Sequence, residues 1–227
     1  MHECSDCLLH KKKQKKSFVD SFYYELRPFY FGKGELIFSE KQSLKGIYCI
    51  REGTCLISKT SSNGRDQIIE LLSKGTLLGI RSVLCEDQTN LKAQAVVAVR
   101  GCFLSKNHFL KLLNEQSNFS LLLTKELAKY VKRSDYKIVA MGQKNMHQRV
   151  AEIIIELPMH FETLSSGFID VKLRREDLAN LVGVATESLI RAFSYFQEKN
   201  WIQLKGKQLR IEAPNKLKQF SEGHILK

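Results

Sequence analysis

The sequence predicts an α+β protein: a strand-rich N-terminal half forming an antiparallel barrel or jelly roll, then a long helix, then a C-terminal winged helix-turn-helix. Three observations carry this reading. Short runs rich in Ile, Val, Phe and Tyr alternate with glycine turns up to Leu104, the pattern of many short strands. A period of three to four residues takes over in residues 114–142, which is helical spacing. Two further apolar helical stripes then flank Gly183.

The strand runs are Glu35–Phe38, Gly46–Ile50, Thr54–Ser58, Gln67–Leu72, Ala95–Val99 and Gly101–Leu104. Between them lie Gly32-Lys33-Gly34, Arg51-Glu52-Gly53, Ser61-Ser62-Asn63-Gly64 and Lys74-Gly75. Asn63-Gly64 signals a hairpin, because both residues tolerate positive φ. A short helix is expected to open this region near residues 17–26. Ahead of it, residues 1–16 hold Cys4, Cys7 and the run Lys11-Lys12-Lys13-Gln14-Lys15-Lys16, too polar to be held by packing.

In residues 114–142, Leu123, Leu127, Val131, Ser134, Ile138 and Met141 recur at steps of three and four, with lysines and Arg133 largely between them. That is a long helix with a narrow apolar stripe, the geometry of a two-helix seam. A first helix of the C-terminal part is expected over His147–His160, with Val150, Ile153, Ile154 and Leu157 inward and Pro158 near its end. A short strand at Phe168–Lys172 follows. The organisation is therefore 1–16 tail, 17–113 strand domain, 114–142 dimerisation helix and 143–227 helical domain.

Charge narrows the partner. The formal net charge of +12 favours a polyanion, nucleic acid before membrane. Yet residues 1–142 hold 23 basic and 14 acidic side chains, against 13 and 10 in residues 143–227. Local placement, and not bulk charge, must make the C-terminal part a nucleic-acid binder.

Arg175–Ser194 supplies that placement. Counting from Arg175, Ala179 is fifth and Gly183 ninth: the small residue lets two helices approach, and the glycine takes the positive-φ turn between them. Leu178, Val182, Val184, Leu189 and Ala192 fill the interface, and Thr186 is placed to cap the second helix. Next, Trp201–Ile211 reads as two short strands around Lys205-Gly206-Lys207, a wing whose lysines reach phosphates.

These segments resemble one family. Phe31-Gly32-Lys33-Gly34-Glu35-Leu36-Ile37-Phe38, Ile47-Tyr48-Cys49-Ile50-Arg51-Glu52-Gly53, Gly75-Thr76-Leu77-Leu78-Gly79 and Glu187-Ser188-Leu189-Ile190-Arg191 resemble the Crp/Fnr superfamily of bacterial transcription regulators, from about Tyr30 to Ile211. The resemblance implies an N-terminal double-stranded β-helix (jelly roll) of cyclic-nucleotide-binding type, a long dimerisation helix and a C-terminal winged helix-turn-helix. It implies that Arg191 donates a bidentate pair to a guanine and Glu187 accepts from a cytosine amine. Ser188 would touch a phosphate, and Thr186 stands where some relatives place a third base-reading residue. The expected site is palindromic promoter DNA, with half-site centres about 10 bp apart. The expected partners are a second copy of the chain, joined through 114–142, and RNA polymerase.

The effector is left unassigned. The cyclic-AMP-binding branch carries Gly-Glu and then Arg-Ser; here Ile80 follows Gly79, and Thr89-Asn90-Leu91-Lys92 stands where Arg-Ser would fall. Lys92 brings a charge without a bidentate fork, and Arg81-Ser82 sits too early. Cyclic AMP bound in the usual manner is therefore not expected, and the candidate pocket is Gly79, Ile80, Asn90 and Lys92. A second reading is an iron–sulfur or thiol redox sensor. Oxygen-sensing relatives carry an N-terminal cysteine cluster and one late cysteine, positions matched by Cys4, Cys7 and Cys102. The third N-terminal cysteine is missing, so another ligand would come from Cys49, Cys55, Cys85, His2 or His10. A third reading is a constitutive, ligand-free DNA-binding protein.

Other classes are disfavoured. There are no paired carboxylates, nucleophile–base arrangement or phosphate loop, so an enzyme is not expected. No apolar run reaches the ~18–20 residues of a membrane span. The six cysteines come without an export signal, so a disulfide framework is not expected either and the cytoplasm is the default compartment.

Overall fold

Short strands joined by glycine turns pair antiparallel, and in a computed structural model of the chain every described strand pairing does so. The structure describes residues 25–62, 64 and 66–223. The tail of residues 1–16, nearly all of the expected opening helix and Asn63 lie outside the described residues. Two compact units result, one of residues up to Thr60 with Glu70–Val131, the other of Ser61–Ile69 with Lys132 onward.

The first unit contains β1 (Arg27–Phe31), β2 (Leu36–Phe38), β3 (Gly46–Glu52), β4 (Cys55–Thr60), most of the latter half of β5 (Asp66–Leu72), β6 (Leu77–Leu78), α1 (Ile80–Leu84), β7 (Lys92–Ala95), β8 (Val99–Ser105) and α2 (Lys106–Glu115). The strands form two sheets, ordered β1-β8-β3-β6 and β2-β7-β4-β5. Side chains of both sheets share one interior, where Ile37, Ile50, Ile57, Ala93 and Val99 pack together. The opposite face of the first sheet is covered by helices: Ile47, Cys49, Cys102 and Leu104 pack with Phe109, Leu112, Phe119 and Leu123. Strand alternation produces this division, because successive side chains of β3 and β8 point to opposite faces.

One expected strand is cut in two. Ala95–Val99 does not run through: β7 ends at Ala95 and β8 begins at Val99. The N–H groups of Val96 and Val97 both donate to the Thr54 carbonyl, at 2.8 and 3.1 Å. The turn closes over Gly53, at φ 89°, where a Cβ would stand 2.0 Å from the Ala98 carbonyl oxygen. Only glycine admits that approach.

The long helix, α3, spans Ser117–Gln143, so Asn114 belongs to α2 and the chain breaks at Gln116. The Ser120 hydroxyl donates to the Leu113 carbonyl at 2.6 Å, and Phe109 meets Phe119 edge-on, 6.2 Å between centroids, which fixes the break. Leu123, the first residue of the expected stripe, is buried under the first sheet. From Leu127 the stripe is left open: Val131, Ile138 and Met141 are 57, 70 and 56% exposed.

The second unit holds the end of α3, α4 (Met146–Glu156), a 3₁₀ turn at Leu157–Met159, β9 (Ile169–Asp170), α5 (Arg175–Val182), α6 (Thr186–Glu198), β10 (Ile202–Lys205), β11 (Gln208–Ile211) and α7 (Pro214–Ser221). Asn145 and Gln148 cap the start of α4 reciprocally, each accepting the other's backbone N–H, at 2.9 and 3.0 Å. Pro158 ends α4 earlier than His160, by closing its last turn as 3₁₀. Phe196, Trp201, Tyr195, Phe220 and His147 stack into one aromatic cluster that joins α4, α6 and α7.

Candidate nucleic-acid interface

Two helices and a hairpin build the site. In α5, Leu178, Ala179 and Val182 are buried, and in α6 so are Leu189, Ala192 and Phe193. Each such large side chain contributes about 1.5–3 kcal/mol of burial. Gly183 takes the left-handed turn at φ 77°, ψ 46°, and its N–H and that of Val184 both donate to the Ala179 carbonyl, at 2.9 and 3.0 Å. Asp177 fixes the start of α5, accepting from the Arg174 N–H at 2.9 Å and from its guanidinium at 2.9 and 3.1 Å. That carboxylate holds Arg174 above the ordinary arginine value.

The recognition segment falls where the spacing placed it, with one correction. Thr186 does not cap α6; Ala185 is the N-cap, in extended backbone, and Thr186 is the first helical residue. Glu187 and Arg191 are exposed and four residues apart, so both lie on the face turned away from Leu189, Ala192 and Phe193. The Arg191 guanidinium donates to the Ser188 hydroxyl at 3.0 Å. Ile190 lies beside them, 49% exposed, and sequence reasoning passed over it. Its signal was an apolar residue standing off the buried stripe of its helix.

Lys205 and Lys207 are exposed on either side of Gly206, at φ 61°, where the hairpin of β10 and β11 turns. A second residue missed in the sequence holds that turn. Arg175 donates through Nη2 to the Gly206 carbonyl at 2.9 Å, and its guanidinium lies over the Phe193 ring, 4.9 Å from the centroid. Burial pushes its pKa down from the ordinary arginine value. One side chain thus ties the first helix, the recognition helix and the wing together.

The comparisons with known proteins agree with this arrangement. Residues 28–116 match the family described as "Cyclic nucleotide-binding domain", and residues 148–220 match "Crp-like helix-turn-helix domain". The chain belongs to the Crp/Fnr superfamily. It is 24% identical over 195 residues to the "CRP-like cAMP-activated global transcriptional regulator" of Mycobacterium tuberculosis, covering 85% of this chain and 87% of that one. It is 26% identical over 196 residues to the "Fumarate and nitrate reduction regulatory protein" of Escherichia coli, covering 85% and 77%. The fold is that of FixK2 from Bradyrhizobium japonicum, with a TM-score of 0.76 at 20% identity over 86% of this chain and 96% of that one. This Crp/Fnr protein is accordingly a DNA-binding transcription regulator, and such regulators act as dimers. Among the described residues, no helix is long and apolar enough to cross a membrane.

The candidate effector positions of this Crp/Fnr regulator fall at the start of α1 and at the start of β7. Gly79 is the left-handed N-cap of α1, where a Cβ would meet Leu44 at 2.7 Å, and Ile80 packs with Leu44 against the helix-covered cluster. Lys92 alternates with buried Ala93 and Ala95, stands opposite Ser58 and, like Lys59, acts electrostatically on the Glu40 carboxylate. Asn90 accepts a hydrogen bond from Arg81. Arg81 is early in sequence, but the fold carries its guanidinium back to the Asn90 position.

The cysteines divide by face. Cys4 and Cys7 lie outside the described residues. Cys55 is buried in the roll interior, its thiol pushed up to about 12 by burial, and Cys85 is exposed at the end of α1. Cys102 and Cys49 are direct register partners on β8 and β3, in the helix-covered cluster. Cys49 is disulfide-bonded, a single bridge where the sequence predicted no disulfide framework.

Proposed function

We propose that this regulator reads a palindromic promoter site as a homodimer joined through residues 114–142. Glu187 and Arg191 contact a G·C pair, Ser188 and Thr186 flank them, and Lys205 and Lys207 contact phosphates. The observation that carries the reading is the shared exposed face of Glu187, Ile190 and Arg191 on a helix whose other face is buried. Arg191 offers the forked donor a guanine edge requires, Glu187 the acceptor for a cytosine amine, and Ile190 an apolar contact for a thymine methyl. The open stripe of Leu127, Val131, Ile138 and Met141, at steps of three, four and seven, fits a twin helix. RNA polymerase is the partner through which promoter binding acts on transcription. An unidentified effector in the roll controls the dimer; cyclic AMP in its usual geometry is disfavoured by the residues themselves, since Ile80 follows Gly79 and Lys92 brings no bidentate fork.

The test is selection of bound sequences from a random duplex pool. Half-sites carrying a G·C step about 10 bp apart between centres support the reading. Arg191→Ala should weaken binding by ~1–3 kcal/mol and erase the preference at that one base pair. Equal loss on all sequences would assign Arg191 to phosphate instead.

A further inference from the structure

The second unit begins inside α3, at Lys132. It therefore carries part of the open stripe, Ile138 and Met141, together with the recognition helix α6. Between the two lies the bend from α3 into α4. The Lys144 N–H still donates to the Ala140 carbonyl at 3.0 Å, and Asn145 then turns the chain in extended backbone, at φ −70° and ψ 166°. A two-residue link between helices leaves their angle free unless side chains close it.

Three side chains close it. Tyr136 of α3 donates through its hydroxyl to a carboxylate oxygen of Glu152 on α4. Lys144, in the link, donates to the same oxygen and, at 2.6 Å, to the Tyr136 hydroxyl. Its ammonium also lies 4.9 Å from the Tyr136 ring centroid. Helix, link and helix are thus joined in one ring of hydrogen bonds. The Lys144 and Glu152 side chains are only 16 and 19% exposed, so water competes less for them than for a surface ion pair. Burial opposes the Lys144 charge, but Glu152 and Tyr136 outweigh it and hold the ammonium above the ordinary lysine value.

The ring leaves the seam free, because Tyr136 and Ile138 are two residues apart and face different sides of α3. From α4 the connection runs on to the reading surface. His147 meets Tyr195 of the recognition helix edge-on, 5.0 Å between centroids. Met141 reaches the same helix pair from the stripe, its Cε 3.2 Å from where a Cβ on Gly183 would stand.

We propose that Tyr136, Lys144 and Glu152 are positioning residues: their ring fixes the recognition helix relative to Ile138 and Met141, and so sets the half-site spacing that the dimer accepts. The proposal rests on the reading of a palindrome by a dimer joined through this stripe. One added base pair moves the second half-site by about 3.4 Å and turns it by roughly 35°. A rigid dimer meets that change only by deforming the DNA, whereas a dimer with a loose bend follows it.

The test titrates full-length protein against three duplexes built from the half-site that selection recovers: the palindrome at its selected spacing, the same palindrome with one base pair inserted, and a single half-site. The wild type should prefer the selected spacing by about tenfold or more. Tyr136→Phe and Glu152→Ala should reduce that preference to about threefold or less, while affinity for the single half-site stays at the wild-type value. Glu152→Gln keeps an acceptor for Tyr136 and should fall between. Tyr136→Phe removes one hydroxyl from a half-exposed ring, so it keeps the test open if Glu152→Ala fails to fold. Variants that discriminate spacing as well as a discriminating wild type overturn this proposal alone. So does an equal loss on palindrome and single half-site, which would make the ring a purely structural support. A wild type indifferent to spacing overturns both this proposal and the palindrome reading beneath it.

Discussion

The guanidinium of Arg175 lies 4.9 Å from the centre of the Phe193 ring, and the same group donates to the Gly206 carbonyl at 2.9 Å. A cation over an aromatic face contributes about 0.5–2 kcal/mol and a charged hydrogen bond about 1.5–3 kcal/mol. Arg175→Ala is therefore expected to destabilise the C-terminal unit by roughly 1–3 kcal/mol. It should also raise hydrogen exchange at the Gly206 and Lys207 amides. Arg175→Lys keeps the charge but not the planar fork and should recover little of the loss. Unchanged exchange in Arg175→Ala would show that the wing is held by its strands alone.

Lys205 and Lys207 flank that turn and are exposed. Replacing both with Ala should weaken binding by a similar factor on specific and random duplexes, and lower the slope of log affinity against log salt by about 2. Titration at several salt concentrations checks this. A loss confined to the specific site would mean that the wing reads bases.

The stripe on α3 makes a separate prediction. Ile138 is 70% exposed in the single chain, and burial between two chains returns about 1.5–3 kcal/mol for each such residue. Ile138→Glu should shift the protein from dimer to monomer in sedimentation and abolish tight binding to the palindrome. Binding to one half-site, tens to thousands of times weaker, should remain. A dimer of unchanged strength would move the seam off this stripe.

His160 sits half-buried beyond the 3₁₀ turn, and burial first, then the positive charge of Lys137, holds its pKa below the ordinary 6.5. The folded state thus favours the neutral ring. Above pH 6.5 both states are neutral and the residue adds no pH dependence. As pH falls below 6.5 the unfolded chain takes up the proton first, so stability declines until the folded pKa is passed. The melting temperature of the wild type should therefore fall more between pH 7 and pH 5 than that of His160→Gln. Parallel curves would assign the acid-side loss elsewhere.

Much of this was legible in the residues themselves. The strand runs, the glycine at Gly183, the small Ala179, the buried Leu178, Val182, Leu189 and Ala192, and the lysine-tipped wing all follow from local period and turn chemistry, which need no distant contact to be read; Val184, expected with them, is only half-buried. The same holds for the Glu187–Arg191 pair, because four residues on a helix fix a common face. Where the reading slipped, a contact from elsewhere in the chain decided the matter. The run Ala95–Val99 breaks because Gly53 and the Thr54 carbonyl close against it, and Leu123 leaves the seam because it is buried under the sheet of β3 and β8. Thr186 looks like a cap in one dimension, yet the helix starts one residue earlier. Arg175 could not be singled out by spacing, since Phe193 and Gly206 reach it only through the folded helix pair and hairpin. Cys49 and Cys102 are separated by more than fifty positions in the numbering, and only strand register makes them neighbours. Local periodicity is written in the order of residues; register and long-range closure are settled by which surfaces pack, and there the tertiary structure alone decides.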